Sequence, residues 1–262
     1  MKKIIKSPAF YAILIIIIPG LIAFFILENK KKETGYIVLS DLSVYECENV
    51  ISCQLIKKDE LLEKDQLFLV FENQKLLGKY KLDYIKEWNL YDESKNWLGV
   101  KDEFIAGSLN TDLVVKNYES REINEKEETL LQQVLKENNI NNYKKLYQNK
   151  TIEYDFNKDG RNEQIILASN ANEDAEENQF FSIALGIINN KAILLDLSQV
   201  SKSEYYFLPT YDVLGIINLF NQEKDLFILL KSFYSEVENP QTTIYNMEKK
   251  EFNIISKNDL KN

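Results

Sequence analysis

Residues 151–168, TIEYDFNKDGRNEQIILA, carry the pattern that decides the fold. Two β-forming runs, Thr151–Tyr154 and Gln164–Ala168, flank an oxygen-rich turn, so the stretch reads as strand, loop, strand. Downstream, Phe180–Leu185 and Lys191–Leu195 form a further pair around Asn189-Asn190, a dipeptide suited to a tight turn. The acidic stretch 170–178 lies before them as a solvated loop. The order then recurs: Gly215–Asn218, Leu226–Ser232, Thr242–Tyr245 and Phe252–Ile255 repeat it. Their offset of roughly 60 residues suits a four-stranded repeat unit, and equally two ordinary β-meanders.

Upstream, Tyr36–Leu39 and Leu67–Phe71 are short apolar runs rich in β-formers, and Lys79–Tyr84 alternates polar with apolar, the period of a strand with one wet face. Leu113–Val115 closes this part. One helix stands out. Asn124 is placed to cap it, Glu125, Glu127 and Glu128 fall in its first turn, and Leu130, Leu131, Val134 and Leu135 share a face. Asn138-Asn139 is the stop, and Ile140, Tyr143 and Leu146 allow a second short helix. The expected fold is mainly β with a short helical segment (α+β), following one N-terminal transmembrane helix, with blade-like antiparallel sheets in the C-terminal half. The regions run 1–7 (cytoplasmic head), 8–27 (transmembrane anchor), 28–121 (β-rich), 122–150 (helical connector) and 151–262 (β-rich).

The anchor rests on Pro8–Leu27, which has no charge over 20 residues. As a helix it spans about 30 Å, the thickness of a bilayer's hydrocarbon core. A cleaved signal peptide is the rival, but the residues before Glu28 (Phe24, Phe25, Ile26 and Leu27) are bulky where a cleavage site needs small ones. Lys2, Lys3, Lys6 and the terminal amine oppose Lys30, Lys31 and Lys32, a narrow margin for a cytoplasmic N-terminus and an external domain.

The 262 residues carry 32 basic and 41 acidic side chains, a net charge of −9. Setting aside Lys2, Lys3 and Lys6, the rest stands at −12. No basic stretch after the N-terminal segment suggests a phosphate-tracking groove, so nucleic acid is not an expected partner. There is no histidine, which removes Ser-His-Asp and Cys-His catalysis and histidine zinc sites. None of the eight glycines forms a nucleotide-cradling motif. Cys47 and Cys53 are the only cysteines. They read either as a short-loop disulfide of an oxidising compartment or as two unpaired core thiols. Trp88 and Trp97, with Tyr84, Tyr91 and Phe104, read as core first and as a carbohydrate-binding face second.

The sharpest chemistry lies in Asp155–Glu163. Oxygen-bearing side chains fall at Asp155, Asn157, Asp159 and Glu163, with Gly160 where a sharp turn needs backbone freedom. Side chains alternate inward and outward in a curled loop, so the first three can converge, and the Arg161 carbonyl can add an oxygen. Hard oxygens in that number suit Ca²⁺. The competing reading is an Asp-Gly hairpin whose polar groups face water. Position 12 is Ile166, so this is not an EF-hand. The strand–DxNxDGxxE–strand pattern resembles the calcium loops of FG-GAP/VCBS-type repeats of integrin-like β-propellers and bacterial surface proteins. That resemblance covers roughly 151–256. It implies a blade-like sheet and one structural calcium held by Asp155, Asn157, Asp159, Arg161 and Glu163, with no specific activity. The second copy (Phe220–Asp225) lacks the acidic pattern.

These readings converge on a single-pass membrane protein, held in the bilayer by its N-terminal helix. Its extracytoplasmic β-rich domain would bind an unidentified envelope protein or glycan, or act in envelope assembly. The alternative is a membrane-tethered, carboxylate-dependent hydrolase of envelope glycans or peptides.

Overall fold

A computed structural model of the chain describes residues 34–40, 43–48, 52–56, 67–84, 88–92, 94, 97–98, 103–141, 143–172, 178–219, 226–233, 241–248 and 251–257. The expected membrane span at 8–27 lies outside them. Among the described residues no helix is long and apolar enough to cross a membrane.

The described residues are mostly strand, in three antiparallel sheets, with one α-helix. The first sheet takes β1 (Thr34–Leu39), β2 (Val44–Glu48), β3 (Ser52–Ile56), β4 (Leu67–Glu72), β5 (Lys75–Tyr84), β6 (Trp88–Tyr91), β7 (Trp97–Leu98) and β8 (Phe104–Ser108), in the order β3-β2-β1-β8-β4-β5-β6-β7. Next come β9 (Val114–Lys116), β10 (Glu119–Arg121) and helix α1 (Glu125–Glu137). Two four-strand meanders complete the chain. One is β11 (Gln148–Tyr154), β12 (Glu163–Ser169), β13 (Gln179–Ile188) and β14 (Lys191–Ser201). The other is β15 (Thr210–Asn218), β16 (Leu226–Phe233), β17 (Gln241–Glu248) and β18 (Glu251–Lys257). β10 pairs with β11 and completes the second sheet, whereas β9 pairs with β15 and completes the third. The eight-residue segment 114–121 thus gives its two short strands to two different sheets.

Side-chain alternation explains the layering. In the third sheet Ile217, Leu229 and Ile244 face one way and pack with Ile37, Tyr45 and Ile105 of the first sheet. Their neighbours Ile216, Ile228 and Tyr245 face the other way and pack with Ile152, Ile165 and Ala184 of the second. β13 is buried at every position from Phe180 to Ile188. One of its faces meets the third sheet and the other meets α1, so its sequence shows an apolar run without alternation. The β13–β14 turn is the expected Asn189-Asn190, with φ of +52° and +62°, values that asparagine tolerates well.

Helix α1 starts as its sequence dictates. Asn124 accepts the N–H of Lys126 and of Glu127, and the Glu127 side chain accepts the Asn124 N–H, closing a capping box. Leu131, Val134 and Leu135 are buried against β12 and β13. Asn139, at φ +64°, turns the chain back, and the Ile140 N–H closes on the Leu135 carbonyl at 2.8 Å. The second helix expected from Ile140, Tyr143 and Leu146 is therefore replaced by an irregular run. All three side chains still pack beside α1, and Tyr143 meets Phe181 edge-on at 5.5 Å.

Glu127 also clamps the helix to the sheet edge. Its carboxylate accepts two bonds from Arg121, at 2.8 and 2.5 Å, and one from the Thr151 hydroxyl at 3.0 Å. Arg121 reaches Glu153 as well, at 3.1 Å from Nε. Burial pulls the Glu127 carboxyl upward, but the Arg121, Asn124 and Thr151 bonds outweigh it and hold it below its ordinary range. A depressed carboxyl stabilises the fold above its unfolded pKa, and that contribution is lost as pH falls through the folded value. Glu127→Gln should therefore cost about 1.5–3 kcal/mol at neutral pH. Urea unfolding should show the gap to wild type closing in acid, below the usual carboxylate range.

Candidate functional site

Residues 155–162 join β11 to β12, whose last register pair is Tyr154 with Glu163. The loop curls because its own side chains hold its amides. Asp155 accepts the N–H of Asp159 at 3.1 Å and of Gly160 at 2.9 Å. Asn157 Oδ1 accepts the Asp159 N–H at 2.8 Å, and Asp159 accepts the Arg161 N–H at 3.0 Å. Gly160 sits at φ +83°, in open space, so a side chain there would be disfavoured by backbone conformation alone, by about 1 kcal/mol.

Two residues root the loop in the fold. Phe156, 1% exposed, turns inward between Tyr154, with ring centroids 5.5 Å apart, and Phe252, at 6.1 Å. Glu163, 5% exposed, accepts the Phe156 N–H at 2.9 Å and the Asn157 amide at 2.5 Å. Burial raises the Glu163 carboxyl. The backbone amides of Phe156 and Asn157 oppose that rise, and the charges of Asp159 and Asp155 add to it.

The donor types suit a hard cation: carboxylates from Asp155, Asp159 and Glu163, the Asn157 amide oxygen and the Arg161 carbonyl. In this conformation the three acids do not converge. Asp155 and Asp159 are turned onto loop amides, and Glu163 faces Phe156 and Asn157. Among the described residues no group of three Cys, Asp or Glu side chains is gathered to hold a metal. The loop has the right oxygens, spent at present on its own backbone.

Elsewhere, Cys47 and Cys53 face each other as register partners on β2 and β3 and form a disulfide, with Cα atoms 4.1 Å apart. Cys47 is fully buried beside Tyr45 in the core shared with the third sheet. The five aromatics divide. Phe104 is core, Tyr91 is half-buried, and Trp97, on edge strand β7, is 66% exposed. The side chains of Tyr84 and Trp88 lie outside the described residues. No family model, curated protein or solved structure matches the chain.

The Glu163 shift has a sign that can be checked. A carboxyl whose folded pKa is raised favours the fold fully below its unfolded pKa, and that contribution is lost as pH rises through the folded value. With a chelator present, the urea midpoint of Glu163→Gln relative to wild type should rise as pH climbs above the usual carboxylate range. A pH-independent difference would mean that the Glu163 environment does not penalise its charge.

Proposed function

We propose that the chain is a single-pass membrane-anchored protein whose β-rich domain lies outside the cytoplasm and serves as a binding or envelope-assembly module. The observation that carries this reading is the Cys47–Cys53 bond, set between two paired strands in a buried core. Structural disulfides form and persist in oxidising compartments and are rare in the cytosol. The uncharged run Pro8–Leu27 supplies the membrane tether in this reading, and the acidity of residues 28–262 keeps the domain off an anionic bilayer surface.

Calcium at Asp155, Asn157, Asp159, Arg161 and Glu163 forms part of the same proposal. Its support is the donor set and the two acids beside the buried Glu163, with no basic group among the causes that move that carboxyl. Binding would turn Asp155 and Asp159 from the loop amides they now accept toward the ion beside Glu163, and the ion would neutralise the three acids and stiffen the loop, a structural role. The likeness of the loop to FG-GAP/VCBS-type repeats favours this reading. So does the placement of the loop between the first two strands of a four-strand meander.

Two measurements test the proposal. Protease added to intact cells should digest the domain, and, because Cys47 is buried, a thiol reagent applied in denaturant should label Cys47 and Cys53 only after reduction. A protease-protected domain whose cysteines are alkylated in denaturant without reduction would place it inside. For the ion, ~10 mM calcium should raise the melting temperature of the wild type by about 3–10 °C. The Asp155→Ala/Asp159→Ala variant should show no such rise. Equal wild-type curves in calcium and in chelator would leave the loop as a self-bonded turn.

A further inference from the structure

The loop end of the second sheet holds a second feature. The β13–β14 hairpin and the start of β18 enclose an open cavity of about 560 Å³, lined by Ile188, Asn189, Lys191, Ile193, Glu251 and Phe252. That volume lies within the range of small-ligand sites. We propose that this cavity binds the zwitterionic backbone of a short peptide carrying an apolar side chain.

The lining divides by chemistry. Ile188 is buried and Ile193 and Phe252 are half-buried, so the floor is apolar. Phe252 is held there by close contact: a Cβ on Gly186 would collide with its ring. Gly186 is thus a seat that only glycine leaves open. Lys191 and Glu251 stand exposed on the rim, contributed by different meanders. Neither side chain takes part in any ion pair or hydrogen bond among the described residues, with each other or with a third group. A lone surface lysine or glutamate is unremarkable. Here a cation and an anion, each without a side-chain partner among the described residues, line one apolar floor without reaching each other.

A ligand that satisfies all three features needs a carboxylate for Lys191, an ammonium for Glu251 and an apolar group for Phe252. A free amino acid carries both charges on one carbon and is poorly shaped to bridge rim groups that do not touch. An extended dipeptide separates its ends by about 7 Å. Asn189 adds an amide able to donate to and accept from a peptide group. Phe252 also packs on Phe156, whose N–H is held by Glu163, so an occupied cavity would press on the root of the 155–162 loop.

This specifies the binding part of the proposed function and fails separately from it, because peptide titration reads the ligand whereas protease protection reads the placement. The experiment is calorimetric titration of the full chain in detergent with Leu-Phe dipeptide, N-acetyl-Leu-Phe and Leu-Phe amide. Free Leu-Phe should bind with a Kd of about 1 mM or tighter. Blocking either end should weaken binding about five-fold, the order of one exposed ion pair. Lys191→Glu should remove the preference for free acid over amide, and Glu251→Gln the preference for free amine over acetyl. Both positions are exposed, so unchanged melting temperatures check that the variants fold. Absence of binding at ~10 mM dipeptide, equal binding of the blocked forms, or variants that keep both preferences would each overturn the proposal.

Discussion

The third sheet is apolar on both faces, and the layering of the domain comes from covering it twice. Ile216 and Ile217 are adjacent in sequence, both fully buried, and point in opposite directions. Leu229 and Ile228 repeat the arrangement one strand over. A fully buried aliphatic side chain contributes roughly 1.5–3 kcal/mol relative to exposure. Removing either flanking sheet would leave a full row of them in water. The first sheet covers one row and the second covers the other, with α1 closing the outer face of the second.

Two buried acids illustrate how the same burial is resolved in opposite ways. Glu127 has an arginine within hydrogen-bond reach, and its carboxyl is held low. Glu163 has amides and two acidic neighbours, and its carboxyl is pushed up. The first is an internally completed ion pair, anchored to a helix cap. The second keeps an electrostatic debt that its own chain does not cancel, and this separates a structural clamp from a candidate cation site.

Legibility in the sequence tracked the range of the signal. The Asn124–Glu127 cap and the Asn189-Asn190 turn are local, so residues a few positions apart announce them. The strands of both meanders were likewise visible as apolar runs. β9 was visible too, as the apolar run Leu113–Val115, although its distant partner β15 was not. β10 was not: Glu119-Ser120-Arg121 carries no apolar pattern and becomes a strand only because β11 offers an open edge. Ile140, Tyr143 and Leu146 mimicked a helix because three-residue spacing also arises where an irregular run lies on a sheet. The oxygen donors of the 155–163 loop could be read from spacing, but their engagement with the loop's own amides required the fold. The cavity rim had no sequence signal, since Lys191 and Glu251 come from different hairpins.

The segment 114–121 also imposes an order of events. Its first half cannot zip to β15 until residues near 218, about a hundred positions later, have been made. Until then the inner row of the first sheet has no cover, and at ~5–20 residues per second that interval lasts several seconds. Such long-range closure is slow and leaves sticky surface waiting. The nascent chain is therefore most in need of a holding chaperone before its final hairpins appear, and a truncation that spares the first sheet but removes the last meander should be prone to aggregate.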